Sequence, residues 1–504
     1  MSIDPRTGRV LGKAAPEPAP HQVDAACEAA AQAAPLLESA GRRFRARLLT
    51  SMAVALEGAQ EDLVRVADQE TALGCARLTG ELARACYQFR LFADVLTDGS
   101  YLDVTIDHAR DTALGPQPDL RRMLVPLGPA AVFGASNFPF AFSVAGGDTV
   151  SALAAGCPVV VKAHPSHPAT SQACADVLGA AAGAVGAPPG TLALLHGLDA
   201  GLALARQPAI CAIAFTGSLD GWRALSQAVA GRPTPIPCYA ELSSLNPVVV
   251  TPSAAAERAE AIAAGVVTSI TLGAGQFCTK PGLVLVPADG PGNRLLTAMG
   301  DAVTAMGPQW ALNARIQQAF RQRTQALMAL PHVRLLARAA NGADPGPGFV
   351  MTPQLFVTRA RNVDSPVTRE CFGPAAVAAV YHDDAELLGV LGRLPGSLAA
   401  ALHTGTGDTR LPSRVATVLR RSTGRLVCNG YPTGVSVAPA MHHGGPWPAA
   451  SDPLHTSVGT AAIRRFLRPQ CWQDAPVTLL PDELRNVPSD PVPRQVDGHR
   501  EEAR

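Results

Sequence analysis

The spacing of apolar and polar residues changes twice along this chain. From Asp24 to Glu70, apolar residues, many of them alanine, return every three or four positions with few Gly or Pro breaks, which predicts a helical start. From Met123 onward, short β-branched runs such as LVPLGPAAVFGA and PVVVKAH alternate with Ala-rich runs such as TVSALAAG and TSQACADVLGAAAGAVG, and the series continues through TLALLHG and LALARQ to AICAIAFTGS. Strands apolar on both faces, alternating with helices, predict a parallel sheet covered by helices on both sides. A second series starts at NPVVV, passes through a helix near 253–270 and the strand LVLV, and runs to about residue 430. The expected fold class is α/β, with two doubly wound parallel-sheet domains. The flanks read differently: residues 1–20 as a flexible arm, and the Pro-rich, charged end VPSDPVPRQVDGHREEAR as a disordered tail.

Composition narrows the partners. At 504 residues with 47% hydrophobic residues the chain can bury more than one core, and 42 Lys plus Arg against 41 Asp plus Glu leave no overall field to attract nucleic acid or an anionic membrane. Pro129 to Val161 contains a single charged residue, Asp148, but Gly134, Pro139, Gly146, Gly156 and Pro158 cut it into pieces too short to span a bilayer. Eleven cysteines without a CxxC pair argue against a disulfide framework and a zinc site and point to a reducing cytoplasm; the N-terminal residues carry no signal-type apolar run.

Few stretches suggest chemistry. TLGAGQFCTKPG sets Cys278 among Gly273, Gly275 and Gly282, where a poised thiol is easier to arrange, whereas Cys157, Cys174, Cys211 and Cys238 sit in apolar strands or helices and read as packing residues. CYAELSSLNPVVV isolates Glu241 at the end of an apolar strand, as a general base or as a paired structural carboxylate. SNFPF offers Asn137 as an oxyanion donor or a turn cap. AFTGSLDGWRAL places Gly217 and Ser218 at a strand-to-helix turn that suits a phosphate but is also an ordinary βα connection, and no GxGxxG follows an early strand. His442 and His443 in MHHGGPWP, lacking a third ligand at suitable spacing, read as a loop feature, so no metal site is expected.

In their order, SNFP, ALAAGCPVVVK, FTGS, ELSSLNP, GQFC and ECFGP resemble the aldehyde dehydrogenase superfamily from about residue 100 to 470, and ELSSLNP, GQFCTKPGLV and the ending NGYPTGVSVAPAMHHGGPWPAASDPLHTSVGTAAIRRFLRP resemble its bacterial 2,5-dioxopentanoate (α-ketoglutarate semialdehyde) group. The resemblance implies a nucleotide-binding domain over 1–247, interrupted near 101–125 by an oligomerisation hairpin, a catalytic domain over 248–455 and an oligomerisation segment over 456–480 that includes TAAIRRFLRPQCW; the tail 481–504 departs from the family. It implies Cys278 as nucleophile, Glu241 as general base, Asn137 as oxyanion donor, Lys162 at the adenosine ribose, Gly217 and Ser218 at the pyrophosphate, and Glu370 with Phe372 at the nicotinamide. The implied activity is NAD(P)-dependent oxidation of an aldehyde, a semialdehyde above all, to an acid through a thioester, in a homodimer or homotetramer; a CoA-acylating enzyme and a silent nucleotide-binding relative are the alternatives. Pro165 stands where NAD-preferring relatives often carry an acidic residue, which favours NADP, while Asp199 falls near where NADP-specific relatives offer a basic group. For a distal substrate carboxylate no arginine is assigned; Arg414, Arg420 and Arg421 read as surface residues.

Overall fold

A computed structural model describes the chain except Ala14, Ser243, residues 341–346 and residues 503–504. Ser243 of the ELSSLNP motif and the end of the expected tail thus lie outside the described residues.

The helical start is resolved into Pro20–Ser39, Gly41–Gly58 and Gln60–Thr71, followed by the longer Cys75–Asp98. Their apolar stripes interlock: Leu48, Leu49, Met52 and Leu56 of one helix meet Leu82, Phe89 and Phe92 of another in one buried cluster. Five strands then form a wholly parallel sheet in the order Cys238–Glu241, Ala212–Thr216, Ala130–Phe133, Val159–Lys162, Leu192–Leu195. AAVF and VVVK are buried at every position, which is why they are unbroken apolar runs rather than alternating ones. The small side chains of Gly147–Ala155 let that helix lie fully buried beside them.

A seven-stranded sheet follows, ordered Arg334–Arg338, Gln354–Arg359, Ala375–Tyr381, Leu283–Pro287, Val248–Val250, Ser397–His403, Thr423–Cys428, and parallel except for the antiparallel edge strand Arg334–Arg338. In the five-stranded sheet the loops carrying SNFP, FTGS and ELSS sit at the carboxyl ends of the strands, the usual place for a site in such folds, whereas in the seven-stranded sheet the loops carrying GQFC and ECFGP lead into the amino ends of Leu283–Pro287 and Ala375–Tyr381. No described helix is long and apolar enough to cross a membrane.

The third sheet runs Leu467–Gln473, Leu120–Pro126, Val104–Asp107, Arg494–Val496, His499–Glu501. TAAIRRFLRPQCW divides into a 3-10 helix, Thr460–Phe466, and the strand Leu467–Gln473, which pairs antiparallel with Leu120–Pro126 of the same chain and ends the sheet. Both flanks correct the reading from composition. Residues 481–502 are not a disordered tail. Leu484 and Val492 are buried, Arg494–Val496 pairs in parallel with Val104–Asp107, and the buried guanidinium of Arg42 donates to the carbonyls of Asp490 and Pro491 while pairing with the Asp490 carboxylate at 2.6 Å. Gly99, at φ +82, admits this segment, since a Cβ there would lie 2.4 Å from Val492. At the other end, Ser2–Ile3 pairs with Val10–Gly12, and Arg6 holds Asp68 at 2.8 Å, so the expected arm is likewise anchored.

Candidate active site

Asn137, Glu241 and Cys278 reach one place from three loops. Glu241 ends the strand Cys238–Glu241, in register with Thr216, and its carbonyl accepts the Gly217 N–H at 3.1 Å, so the FTGS turn and the carboxylate are adjacent. Asn137 follows Ala130–Phe133; it is buried, and its Nδ2 donates to the carbonyl of Gln276 at 2.8 Å, two residues before the cysteine.

The cysteine loop is held in a left-handed course. After the helix Pro252–Thr271, residues Gly273, Ala274 and Gly275 take φ of 56, 60 and 66° in succession. At Gly275 a Cβ would meet the Gly373 backbone at 2.3 Å, which excludes any side chain. Gln276 braces the loop by donating to the carbonyls of Gly273 and Trp310 and accepting from Leu312 N–H. Asn246, the asparagine of ELSSLNP, is fully buried and donates through Nδ2 to the carbonyls of Cys278 at 2.7 Å and Lys280 at 3.0 Å. Local motif reading placed no weight on Asn246. Glu370 and Phe372 are half-buried on the loop entering Ala375–Tyr381, tied to the cysteine loop by Gly373 N–H donating to Gly275 O at 3.2 Å.

The largest addition is His443, which the sequence pattern assigned to a plain loop. Its Nε2 lies 2.9 Å from Oε1 of Glu241 and 3.6 Å from Sγ of Cys278. The ring is fixed from behind: His443 N–H donates to Thr456 Oγ1, and its carbonyl accepts from Ser457, whose hydroxyl also donates to Glu241 Oε2 at 2.9 Å. The ligand atoms of Glu241, Cys278 and His443 all lie within 4.8 Å of one another. The arrangement suits proton transfer, and its donor atoms are of the kind that could hold a soft divalent cation. A cavity of about 20 Å³ borders Glu241, His443, Thr216 and Tyr239, enough for about one water.

Electrostatics separate the two partners. Cys278 is half-buried, and the protein packed around it, followed by the charge of Glu241, pushes its pKa well above the ordinary thiol value. Burial also works against the charge of Glu241, yet the charge and hydrogen bond of His443, with further bonds from Cys278 and Ser457, outweigh it and hold the carboxyl below its usual range. The surroundings thus favour the neutral form of the thiol and the charged form of the carboxyl.

The same sheet edge offers a place for a dinucleotide. Lys162 ends its strand two strands away from Thr216; it is 8% exposed, and burial lowers its pKa to about 8, against the raising influence of Glu17. Ser218 caps the helix Leu219–Ala230 by accepting from Gly221 N–H, and Thr216 Oγ1 is buried with no hydrogen-bond partner among the described residues. An under-solvated ammonium and an orphaned hydroxyl beside a helix N-terminus fit a phosphate-linked nucleotide. Glu17 itself accepts from the N–H groups of Asp199 and Ala200, at the start of Leu198–Arg206.

The profile of the aldehyde dehydrogenase family matches residues 1–447. Alpha-ketoglutaric semialdehyde dehydrogenase 2 of Azospirillum brasilense is 45% identical over 487 residues, 95% of this chain and 92% of that protein; alpha-ketoglutaric semialdehyde dehydrogenase of Acinetobacter baylyi is 41% identical over 481 residues, with 95% and 91% coverage. Among solved structures, PnpE from Pseudomonas sp. WBC-3, in complex with nicotinamide adenine dinucleotide, superposes with a TM-score of 0.79 at 22% identity over 94% of both chains.

Proposed function

The chain belongs to the aldehyde dehydrogenase family, and on that footing we propose that it oxidises 2,5-dioxopentanoate to 2-oxoglutarate, with Cys278, Glu241 and Asn137 carrying the chemistry and His443 linking them. It is an oxidoreductase that works with a nicotinamide dinucleotide. The substrate reading draws on the activity named for the two relatives above 40% identity. The observation that carries the catalytic reading is the single imidazole nitrogen of His443 set between the thiol and the carboxylate.

The Cys278 proton passes to Glu241, directly or across His443 Nε2, and the thiolate adds to the aldehyde carbon. Asn137 spends one Nδ2 hydrogen on Gln276 O and has a second for the oxyanion, which the Cys278 backbone N–H also serves. When bound, the nicotinamide supplies the hydride acceptor that lets the thiohemiacetal become a thioester. Once Glu241 has given up the thiol's proton to solvent, it takes a proton from a water in the adjoining cavity, the resulting hydroxide attacks the thioester carbonyl and expels the Cys278 thiolate, and the proton on Glu241 restores the thiol as the acid leaves. A carboxylate facing a water-sized cavity favours hydrolysis over transfer to CoA.

Lys162, Thr216, Gly217 and Ser218 would hold the dinucleotide's ribose and phosphates, and Glu370 and Phe372 its nicotinamide end. We propose NADP over NAD, because Pro165 gives the ribose no carboxylate and Lys162 brings a positive charge; Glu17, whose charge reaches Lys162, is itself committed to two helix amides. The free edge of Leu467–Gln473 is the proposed contact for a homodimer or homotetramer, and a reducing cytoplasm suits eleven free cysteines. The test is a substrate panel with both cofactors: 2,5-dioxopentanoate, succinic and glutaric semialdehydes, and simple alkyl and aromatic aldehydes. The highest kcat/KM is expected for 2,5-dioxopentanoate with NADP. An alkyl aldehyde turned over more efficiently than every semialdehyde would remove the substrate assignment.

A further inference from the structure

On the helix Cys75–Asp98, residues Arg77, Glu81, Arg84 and Gln88 recur at helical spacing and share one stripe. An apolar face is the ordinary expectation for a stripe turned toward the protein; this one is polar, and it faces the loop that carries Asn137. Arg77 donates to the Asn137 carbonyl at 2.7 Å, and Glu81 Oε1 accepts from the N–H groups of Phe140 and Ala141 at 2.8 and 3.0 Å. Beyond those bonds the stripe is unsatisfied. Arg77 Nη1, Glu81 Oε2, Arg84 Nε and Nη2, and Gln88 Nε2 are all buried without a hydrogen-bond partner among the described residues. Such a concentration of unmet groups is uncommon inside a protein unless a ligand completes it.

Arg84 is the member suited to an anion. Its Nη1 donates to the Val435 carbonyl, which leaves Nε and Nη2 open, and these two form the side of the guanidinium that grips a carboxylate with parallel bonds. It makes no ion pair among the described residues. The carboxylate on its stripe, Glu81, is pushed by burial toward its neutral form, and one of its oxygens already serves two amides.

The position is equally telling. The Arg84 guanidinium carbon lies 5.7 Å from the centre of the Phe142 ring, which lies 6.1 Å from that of His443, whose Nε2 is 3.6 Å from the Cys278 sulfur. Two rings thus lie between the unpaired fork and the nucleophile, and the charges of Cys278 and Glu241 reach Arg84 across them. Arg425 holds the same loop from its far side, donating to the carbonyls of Gly434, at 2.8 Å, and Pro432. By contrast Arg414, Arg420 and Arg421 are exposed, and Arg414 pairs with Asp384.

We propose that Arg84 is the specificity-determining residue that binds the distal carboxylate of the semialdehyde, with Nε and Nη2 as its paired donors. This rests on the reading of the site as an aldehyde-oxidising one and adds how a carboxylated aldehyde is chosen over a neutral one. It also explains why a charged residue occupies a helix face turned toward aromatic rings.

The experiment compares wild type with Arg84→Met and Arg84→Lys on 2,5-dioxopentanoate, succinic semialdehyde and butanal, with circular dichroism and thermal midpoints recorded for each protein. The quantity read is the ratio of kcat/KM for a carboxylated aldehyde to that for butanal. In Arg84→Met the ratio falls by about 30- to 100-fold, the scale of one charge-assisted contact, mainly through KM. In Arg84→Lys, which keeps the charge but not the fork, it falls less. Competitive inhibition by 2-oxoglutarate weakens in the same order. An unchanged ratio, whether both rates fall together or neither falls, overturns the assignment and leaves Arg84 as a strap for the Val435 loop. A wild type that oxidises succinic semialdehyde but not 2,5-dioxopentanoate sinks the substrate reading alone, with Arg84 still judged on the former. Preference for butanal over both sinks the two together.

Discussion

At the residue scale, the proposed catalysis rests on a thiol whose pKa burial pushes up beside a carboxylate whose neighbours hold its pKa down. The two halves of the cycle separate in a Glu241→Gln variant. Stopped-flow mixing is expected to show a first-turnover burst of reduced cofactor followed by steady-state turnover reduced about 100-fold or more, because the missing base is needed most when water attacks the thioester; loss of burst and steady state in equal measure would assign Glu241 to thiol activation alone. His443 is tested by its effect on pH dependence. It lowers the Glu241 pKa against the effect of burial, so His443→Ala should let that pKa rise. A base active as the carboxylate is lost as pH falls through its pKa, so the acid limb of the kcat profile should move to higher pH in the variant. A profile that merely scales down without shifting would make His443 a packing residue.

At the element scale, the cysteine loop is built to be held rather than to flex. Asn246 occupies a left-handed backbone position, φ 51°, and its amide satisfies two carbonyls of the loop. Asn246→Ala removes both bonds, together with those that its Oδ1 accepts from Ser244 Oγ and Ala399 N–H, and leaves an alanine in a conformation that favours Asn and Gly, a loss of about 2–4 kcal/mol. Denaturant unfolding should register that loss, and kcat should fall with it although Asn246 lies outside the reacting groups. Cys278, Glu241 and Asn137 were legible because each sits inside a short motif whose neighbours advertise it. His443 was not, since its partner sulfur is 165 positions away and nothing beside it in MHHGGPWP announces a thiol. The polar stripe of Cys75–Asp98 was equally silent, its Arg84 contact spanning 351 positions. The parallel sheets were plain in the alternation of VVVK-type strands with Ala-rich helices, which is a local signal. Residues 481–502 misled because composition counts how few apolar residues a segment has, and not that Leu484 and Val492 have a pocket waiting.

At the scale of the whole molecule, Arg42 links the first helical layer to the third sheet. Its guanidinium donates to the carbonyls of Leu96, Thr97, Asp490 and Pro491 and pairs with the Asp490 carboxylate. Arg42→Ala should cost about 1–3 kcal/mol, the range for leaving buried carbonyls without their donor, and should expose the 481–502 segment to limited proteolysis at temperatures where the wild type resists. Cleavage patterns that stay the same would mean that strand pairing alone secures the segment. That pairing has a temporal side. His108 and Asp497, bonded through both backbone and side chain, are 389 positions apart, so a ribosome has made most of the polypeptide before the sheet begun at Val104 can acquire its remaining strands. Until then the strand edge stands open on the nascent chain, and premature termination between Val458 and Arg494 would release a product with its proposed reacting groups encoded but a sticky flank uncovered.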